Sequence, residues 1–322
     1  MKKVAVVDLM INQVLIKNIE DNQNLIAEDD DLVFKAPSLC GYGILGLNRL
    51  DIYSQNSNSK AGGYFAHYLK CNGYDYLLIK GKSKEPVYIY INNENVFIKS
   101  AEEIYFLDKE STENKIKKDL NKEDIEIAQV GIAACHGVDF SRIILGNKSC
   151  GKDGLGKLMG EKNLKAIVLN KAEFLKPKCR EKLYNINTKI ANKLGNEDIE
   201  AYYNEQNNCF GCIVNCGSTS IKKIMKKGFS LEEAENLDSI SNHYGMDSCI
   251  FASIADKEED FEKLAEDIVF NNKSYELKSS KKSKIHDESD EFEELGFCRF
   301  LIKKNILDHD DIKMLKECIL GE

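Results

Sequence analysis

Hydrophobic and polar residues alternate along the first part of the chain in a way that predicts short β-strands. The runs with this pattern lie at residues 3–7, 14–19, 76–79, 87–91, 96–99, 125–130, 142–145 and 164–169. Glycines separate many of these runs, as expected where the chain turns. The pattern therefore predicts a sheet-rich domain over residues 1–172.

After Pro177 the apolar residues recur at helical spacing, over residues 179–194, 231–241, 260–269 and 302–320. Residues 271–291 form a basic block followed by an acidic one, which predicts a solvated polar linker. No internal repeat with a fixed period is evident. We therefore expect an α+β fold, in which the sheet-rich N-terminal domain precedes a smaller, mostly helical domain at 173–322.

Composition narrows the possible functions of the 322-residue chain. The formal net charge of −8 and the pI near 5.4 argue against a general nucleic-acid binder, which needs a basic face. Asp8 interrupts the apolar run near the start before it reaches the length of an export signal, and no stretch approaches a membrane helix. These features predict a cytoplasmic protein without a membrane partner.

Three of the eleven cysteines are clustered as Cys209, Cys212 and Cys216. Thiolates suit iron–sulfur clusters, zinc or copper(I), but zinc sites normally offer a second short pair of ligands, which is absent here. A fourth ligand must come from a distant cysteine: Cys249, Cys298 or Cys318. Cys298 is preferred because Gly296 allows a tight turn beside it. The prediction is a [4Fe-4S] cluster on Cys209, Cys212, Cys216 and Cys298.

Two glycine-rich segments are possible anion sites. Residues 151–158 differ from a phosphate-binding P-loop by Leu158 in place of Ser or Thr, and the strand predicted at 164–169 follows too soon for the long helix of a P-loop. Gly62 and Gly63 precede a short helical run, whose free N–H groups suit an anionic ligand. Each segment is equally compatible with a simple turn.

Several segments together resemble the tungsten-containing aldehyde ferredoxin oxidoreductases, in the order in which that family carries them. They are residues 61–65, 73–75, 81–91, 154–167, 209–217 and 295–298. The resemblance is dense from about Gly41 to Asn170 and patchy afterwards. It identifies the chain as a shortened, divergent member of the family.

The resemblance implies a sheet-rich base for two pterin dithiolenes that hold one tungsten, with a neighbouring [4Fe-4S] cluster. It implies oxidation of an aldehyde to a carboxylate, with electrons passing to ferredoxin. Residues 242–247 and 293–298 look like the family's two pterin-binding turns. The positions that the resemblance assigns to cofactor binding are Lys60, Ala61, Gly62, Gly63, Lys148, Gly151, Asn242, Gly245, Met246, Asp247, Glu293 and Phe297.

The chain also departs from the family pattern. Asn242 and Glu293 replace the leading aspartates of the two turns, and lysines replace an asparagine and an arginine at Lys60 and Lys148. The family's earlier arginine aligns near Gly43, where no replacement is evident. The helical stretch between the turns is much shorter, and it omits the region of the catalytic histidine. No catalytic residue is therefore assigned.

Three functions remain open from the sequence. The first is an iron–sulfur oxidoreductase that carries the cluster and a tungsten or molybdenum bis-pterin, acts on an aldehyde and uses ferredoxin or another redox protein as acceptor. The second is a non-catalytic [4Fe-4S] electron-transfer protein or redox subunit, in a homo- or hetero-oligomer. The third is a structural four-cysteine metal site. Dense similarity in the pterin-binding region favours the first.

Overall fold

The computed structural model describes residues 1–28, 30–151, 153–195, 209, 219–275, 291–298, 301–302 and 305–321. Its strands are β1 (Lys2–Asp8), β2 (Gln13–Ile19), β3 (Leu32–Lys35), β4 (Leu50–Tyr53), β5 (Asn58–Ala61), β6 (Tyr76–Lys80), β7 (Val87–Asn92), β8 (Asn95–Ser100), β9 (Ile125–Val130), β10 (Ile143–Leu145), β11 (Lys148–Cys150) and β12 (Leu164–Asn170).

The described helices are concentrated in the second half of the chain. They are α1 (Phe65–Cys71), α2 (Lys109–Leu120), α3 (Ile132–Cys135), α4 (Leu155–Glu161), α5 (Arg180–Gly195), α6 (Thr219–Met225), α7 (Leu231–Tyr244), α8 (Ser248–Ile254), α9 (Phe261–Phe270), α10 (Glu291–Glu294) and α11 (His309–Ile319). Every strand among the described residues lies within 2–170, and the described part that follows is mostly helical, so the predicted α+β fold is confirmed.

The strands form two six-stranded mixed sheets with the same topology. The first has the order β2-β1-β6-β3-β4-β5, and the second has the order β8-β7-β12-β9-β10-β11. One neighbouring pair in each sheet is parallel, β1 with β6 in the first and β7 with β12 in the second, and these are the strands that come first and last along the chain. Every other neighbouring pair is antiparallel. Helices α1 and α4 occupy equivalent places before the last strand. The region is thus a structural duplication, with a first repeat at 2–80 and a second repeat at 87–170.

The two repeats pack against each other reciprocally. Helix α1 of the first repeat contacts β9 and β12 of the second, and α4 of the second repeat contacts β3 of the first. A single apolar core joins both sheets and extends to α5 and α11. A second core lies among α7, α8 and α9. Burying the facing sides of both sheets in one core stabilises the pair as a unit.

Capping residues define the starts of the later helices. Ser230 and Glu233 form a reciprocal capping box at the start of α7, and Asp308 does the same with Asp311 at α11. Helix α11 therefore begins at His309, whereas the sequence predicted one helix over 302–320. Asn305, at φ 48°, breaks the helical path in between.

The predicted strands and the other predicted helices are present with small shifts of their ends. The prediction that the chain has no internal repeat was wrong at the level of structure, because the repeats share topology and burial but few residue identities. Most of the predicted linker at 271–291 lies outside the described residues. Within the part of the chain that the structure describes, no helix is long and apolar enough to cross a membrane.

Candidate functional site at the junction of the two repeats

The turn at residues 242–247 joins helix α7 to the second repeat. Gly245 ends α7 in the left-handed conformation, at φ 78°. Its carbonyl oxygen accepts a hydrogen bond of 2.8 Å from the backbone N–H of Arg142, and the N–H of Asp247 donates to the Phe140 oxygen at 2.9 Å. Met246 forms an isolated β-bridge with Ser141. These bonds fix the turn immediately before strand β10.

The turn at residues 293–298 joins the first repeat in the same way. Gly296, at φ 92°, accepts hydrogen bonds at its oxygen from the N–H groups of Asn48 and Arg49, at 3.1 and 3.0 Å. The N–H of Cys298 donates to the Gly46 oxygen at 2.9 Å. Phe297 forms a β-bridge with Leu47. The duplication therefore holds the two turns at equivalent positions, just before β4 and β10.

Close backbone contacts explain why glycine is needed in both turns. A Cβ on Gly245 would lie 2.7 Å from the Gly131 Cα, and a Cβ on Gly296 would lie 2.6 Å from the Pro37 ring. Both glycines also have positive φ, which side chains disfavour. A larger residue would therefore displace the backbone of Gly131 at the first turn and the ring of Pro37 at the second.

The edge strands β5 and β11 meet where the two repeats join. The N–H of Gly151 donates to the Ser59 hydroxyl at 3.1 Å. A Cβ on Gly63 would lie 3.9 Å from Lys148 Cγ. The structure thus brings the Lys60–Gly63 segment of the first repeat beside the Lys148–Gly151 segment of the second.

Arg49 and Arg142, which hold equivalent positions in the two repeats, both oppose the rise in the pKa of the Cys150 thiol at this junction. Burial raises the pKa of Cys150 to about 12, and the charges of Arg142 and Arg49, together with a hydrogen bond to Ser59, partly offset that rise. Arg142 is engaged, because its guanidinium donates to the Met246 oxygen at 2.8 Å and to the Ser248 hydroxyl at 3.1 Å. Each repeat therefore contributes one arginine near Cys150, and the carboxylate of Asp51 acts on the thiol in the opposite sense.

Arg49 and Lys148 are partly buried cations at this junction. No hydrogen bond or ion pair joins either side chain to another residue in the described parts of the chain. Unpaired cations beside a glycine turn suit an anionic group such as a phosphate, which Arg can grip with two parallel hydrogen bonds. The residues present therefore fit a cofactor that carries phosphates.

Cys209 and Cys298 approach the same part of the first repeat. Cys209 Sγ lies 2.7 Å from the place where a Cβ on Gly62 would stand, and Asn48 Oδ1 lies 3.5 Å from that place. Cys298 is hydrogen-bonded to Gly46, two residues before Asn48. The thiol of Cys209 thus lies beside Gly62, and the backbone of Cys298 is bonded to the segment 46–49, whose Asn48 side chain also approaches Gly62.

Cys212 and Cys216 lie outside the described residues. Among the residues that the structure describes, no group of three or more His, Cys, Asp or Glu side chains is placed to hold a metal ion. The fit of an iron–sulfur cluster can nevertheless be tested on Asn48, which is 2% exposed and whose Nδ2 has no hydrogen-bond partner among the described atoms. An unpaired buried donor beside a thiol fits a sulfur-rich ligand, since such groups are otherwise nearly always satisfied.

The other candidate fourth ligands have different surroundings. The Cys318 thiol donates to the Cys179 oxygen at 2.9 Å, at the end of α11. Cys249 lies in α8, where its carbonyl accepts from Lys227. Only Cys298 of the three is held by hydrogen bonds to the segment that Cys209 approaches.

Several predicted cofactor-binding side chains have structural roles. Asn242 is exposed and donates to Asp238 at 3.1 Å, and Asp247 caps helix α8 by accepting from two backbone N–H groups. Met246 and Phe297 are buried in the two cores. The remaining ones belong to local elements: Lys60 and Ala61 lie in β5, and the backbone of Glu293 lies in α10.

Sequence reasoning missed Asn48, Arg49 and Arg142 as site residues. It looked for the first arginine near Gly43, whereas the structure places Arg49 at the start of β4, equivalent to Arg142 at the start of β10. A polar residue, an arginine and an aliphatic residue occur in both places, as 48–50 and 141–143. That triplet is the signal that could have found them.

Residues 7–171 match the family "Aldehyde ferredoxin oxidoreductase, N-terminal domain". The duplicated sheets and both glycine turns lie in or against this matched region, and the chain belongs to the aldehyde ferredoxin oxidoreductase family. It is 31% identical over 194 residues to the tungsten-containing aldehyde ferredoxin oxidoreductase of Pyrococcus furiosus, covering 58% of this chain and 32% of that protein. The enzyme of the same name from Pyrococcus horikoshii is 34% identical over 164 residues, 48% of this chain and 27% of that one.

A third relative, the WOR-like subunit of an aliphatic sulfonate oxidoreductase from Pyrococcus furiosus, is 35% identical over 113 residues, 31% of this chain and 18% of that protein. The chain thus spans about a third or less of the length of these relatives. In fold it is similar to a chain of the active-site complex BamBC of benzoyl coenzyme A reductase, solved with 1,5-dienoyl-CoA. The TM-score is 0.69 at 19% identity, covering 83% of this chain and 60% of that one.

Proposed function

We propose that this chain is an iron–sulfur oxidoreductase component of the aldehyde ferredoxin oxidoreductase type. In this proposal Cys209, Cys212, Cys216 and Cys298 bind a [4Fe-4S] cluster, and a tungsten or molybdenum bis-pterin binds between the two turns. An aldehyde is oxidised to a carboxylate, and the electrons leave through the cluster to ferredoxin or another redox protein.

The observation that carries this proposal is that the Cys209 thiol lies beside Gly62 and Asn48, while the backbone of Cys298 is bonded to Gly46 in the same segment of the first repeat. The family's relatives are named as tungsten-containing enzymes, which supports the same metal here. Arg49 and Lys148, one from each repeat, supply positive charge where two anionic pterin groups would need it. The fully formed duplication supports retention of the base on which such a cofactor rests.

When bound, the pterin metal accepts two electrons from the substrate and the cluster transfers them singly. The chain's own residues orient and shield these groups. Gly62 and Gly63 allow close approach of the backbone, and Gly245 and Gly296 hold the two turns against the sheets. Arg142 fixes the first turn by its bonds to Met246 and Ser248, which leaves Arg49 as the guanidinium available to an anion.

A second function, a [4Fe-4S] electron-transfer subunit without the pterin metal, is favoured by different observations. Asn242 is engaged with Asp238, and the carboxylate of Asp247 is committed to the first turn of α8. The relative named as a WOR-like subunit shows a chain of similar sequence at work within a larger assembly. This alternative keeps the four cysteines and the fold but not the substrate chemistry.

Metal analysis of protein purified without oxygen distinguishes these functions. About four irons and four sulfides per chain together with tungsten or molybdenum support the oxidoreductase, whereas iron and sulfide alone support the electron-transfer subunit. Zinc without sulfide would refute both. The analysis is best made on protein from its native host, where the pterin is available.

Variants separate the two groups of residues. Cys298→Ser is expected to lower iron and sulfide, whereas the matched Cys318→Ser, also in the C-terminal region, should retain both. Arg49→Met is expected to lower tungsten or molybdenum while the iron content stays unchanged. Equal iron in Cys298→Ser and wild type would remove Cys298 from the ligand set.

A further inference from the structure

Asn48 is a buried polar side chain with no structural partner for its donor. It is 2% exposed, and its Nδ2 lacks a hydrogen-bond partner among the described atoms. Leaving a buried donor unpaired is unfavourable. A leucine, which has the same branched shape, would avoid this penalty, so the unpaired amide indicates a ligand.

The amide of Asn48 and the thiol of Cys209 flank one point. That point is the place where a Cβ on Gly62 would stand, 2.7 Å from Cys209 Sγ and 3.5 Å from Asn48 Oδ1. The absence of a side chain at Gly62 leaves this space to the sulfur and to the Oδ1 branch of the amide, and the unpaired donor Nδ2 is the other branch of the same planar group. Asn48 is also held in place, because its backbone N–H donates to the Gly296 oxygen in the turn that carries Cys298.

We infer that the side-chain amide of Asn48 donates an N–H···S hydrogen bond to a sulfur of the iron–sulfur cluster and thereby sets its reduction potential. This inference rests on the cluster of the proposed function. A donor to sulfur stabilises the reduced cluster more than the oxidised one, because the reduced cluster carries one more negative charge. Hydrogen bonds to the sulfurs are among the features that set the potentials of such clusters.

The test is a redox titration of the anaerobically purified protein, followed by EPR of the one-electron-reduced cluster. Asn48→Leu keeps the volume and removes the donor, so the potential should fall. A loss of about tenfold in the reduction constant corresponds to about 59 mV for one electron. Asn48→Gln keeps an amide and should lie nearer to the wild-type potential.

Asn72 provides the matched control. It is another buried asparagine, 1% exposed, but its side chain is fully engaged with Tyr68, Asn170 and Asn93 at 2.7–2.8 Å. Asn72→Leu should lower the free energy of unfolding and leave the cluster potential unchanged. If Asn48 has only a structural role, Asn48→Leu will behave like this control, and the inference will be refuted.

A second measurement does not depend on any variant. In wild-type protein with ¹⁵N in asparagine side chains, pulsed EPR of the reduced cluster should detect a coupled ¹⁵N, and its absence would overturn the inference. Wild-type protein without iron and sulfide would instead refute the proposed function itself. A cluster that is present but insensitive to Asn48 refutes only the role of this residue.

Discussion

Replacing Gly62 by alanine tests the placement of Cys209 with a single methyl group. The new Cβ would lie 2.7 Å from Cys209 Sγ, whereas ordinary van der Waals contact begins at 3.4 Å, so the sulfur must move by about 0.7 Å. Metal–ligand distances normally lie within about 0.2 Å of their standard values, so we expect the displaced sulfur to bind the cluster less well. The sulfur ends a flexible side chain, and Gly62 has no positive φ, so the fold should change in stability by less than about 1 kcal/mol.

Gly63→Ala is the matched control next to it, and we expect the opposite pair of effects. Gly63 has φ 122°, which a side chain disfavours by about 1–3 kcal/mol, but the nearest atoms to its Cβ lie 3.9 Å away. Gly63→Ala should therefore lower the free energy of unfolding and retain iron. Gly62→Ala should retain stability and lose iron and sulfide.

The assays are urea unfolding followed by circular dichroism and iron and sulfide analysis of the same anaerobic preparations. Both the free energy of unfolding and the iron and sulfide content must differ between Gly62→Ala and Gly63→Ala. Full iron content in Gly62→Ala would refute the reasoning, because it would show that Cys209 Sγ does not serve as a ligand from this position.

Three further predictions concern stability. Gly245→Ala should destabilise the protein by about 2–4 kcal/mol, because it combines a left-handed backbone with a contact to Gly131. The control Gly137→Ala, at φ 76° with open space around it, should cost about 1–2 kcal/mol. Equal unfolding free energies for the two variants would contradict this prediction. Burial raises the pKa of Glu126 to about 7, so the folded state favours its protonated form. The free energy of unfolding should therefore fall by up to about 1.4 kcal/mol per pH unit as the pH rises from about 4.5 to 7. Glu126→Gln should remove this pH dependence in urea titrations. Ser230→Ala removes the capping box of α7 and should cost about 1 kcal/mol in the same assay, with no change if the cap is unimportant.

The sequence predicted the fold class because the longer strands carry their own signal. Strands β1, β7, β9 and β12 alternate or run apolar over six or seven residues, and each is visible without knowledge of its neighbours. Strands β3, β4, β5 and β11 were missed. Each has only three or four residues, too few to show a period of its own, and each is paired with a neighbouring strand of its sheet.

The candidate site was predicted unevenly for a similar reason. The glycines and cysteines stand out by residue type, so Gly62, Gly245 and Cys298 were identified without a structure. Arg49 and Asn48 are recognised as site residues only at the junction of the repeats, because the triplet that they share with residues 141–143 is too short to stand out before the duplication is known. Asn242 and Asp247 were assigned by resemblance, and the structure adds helical contacts that the motif does not encode.

The duplication bears on where electrons would leave the proposed site. The two repeats bind their turns through equivalent backbone hydrogen bonds, but the turn on the second repeat ends at Asp247, which carries a carboxylate. The turn on the first repeat ends at Cys298, which carries a thiol. Within the proposed function, two halves of a near-symmetric base thus differ in one side chain that can bind iron. In that proposal the cluster, and with it the route by which electrons leave, lies on the side of the first repeat, so the site is asymmetric although the two halves of its base share one topology.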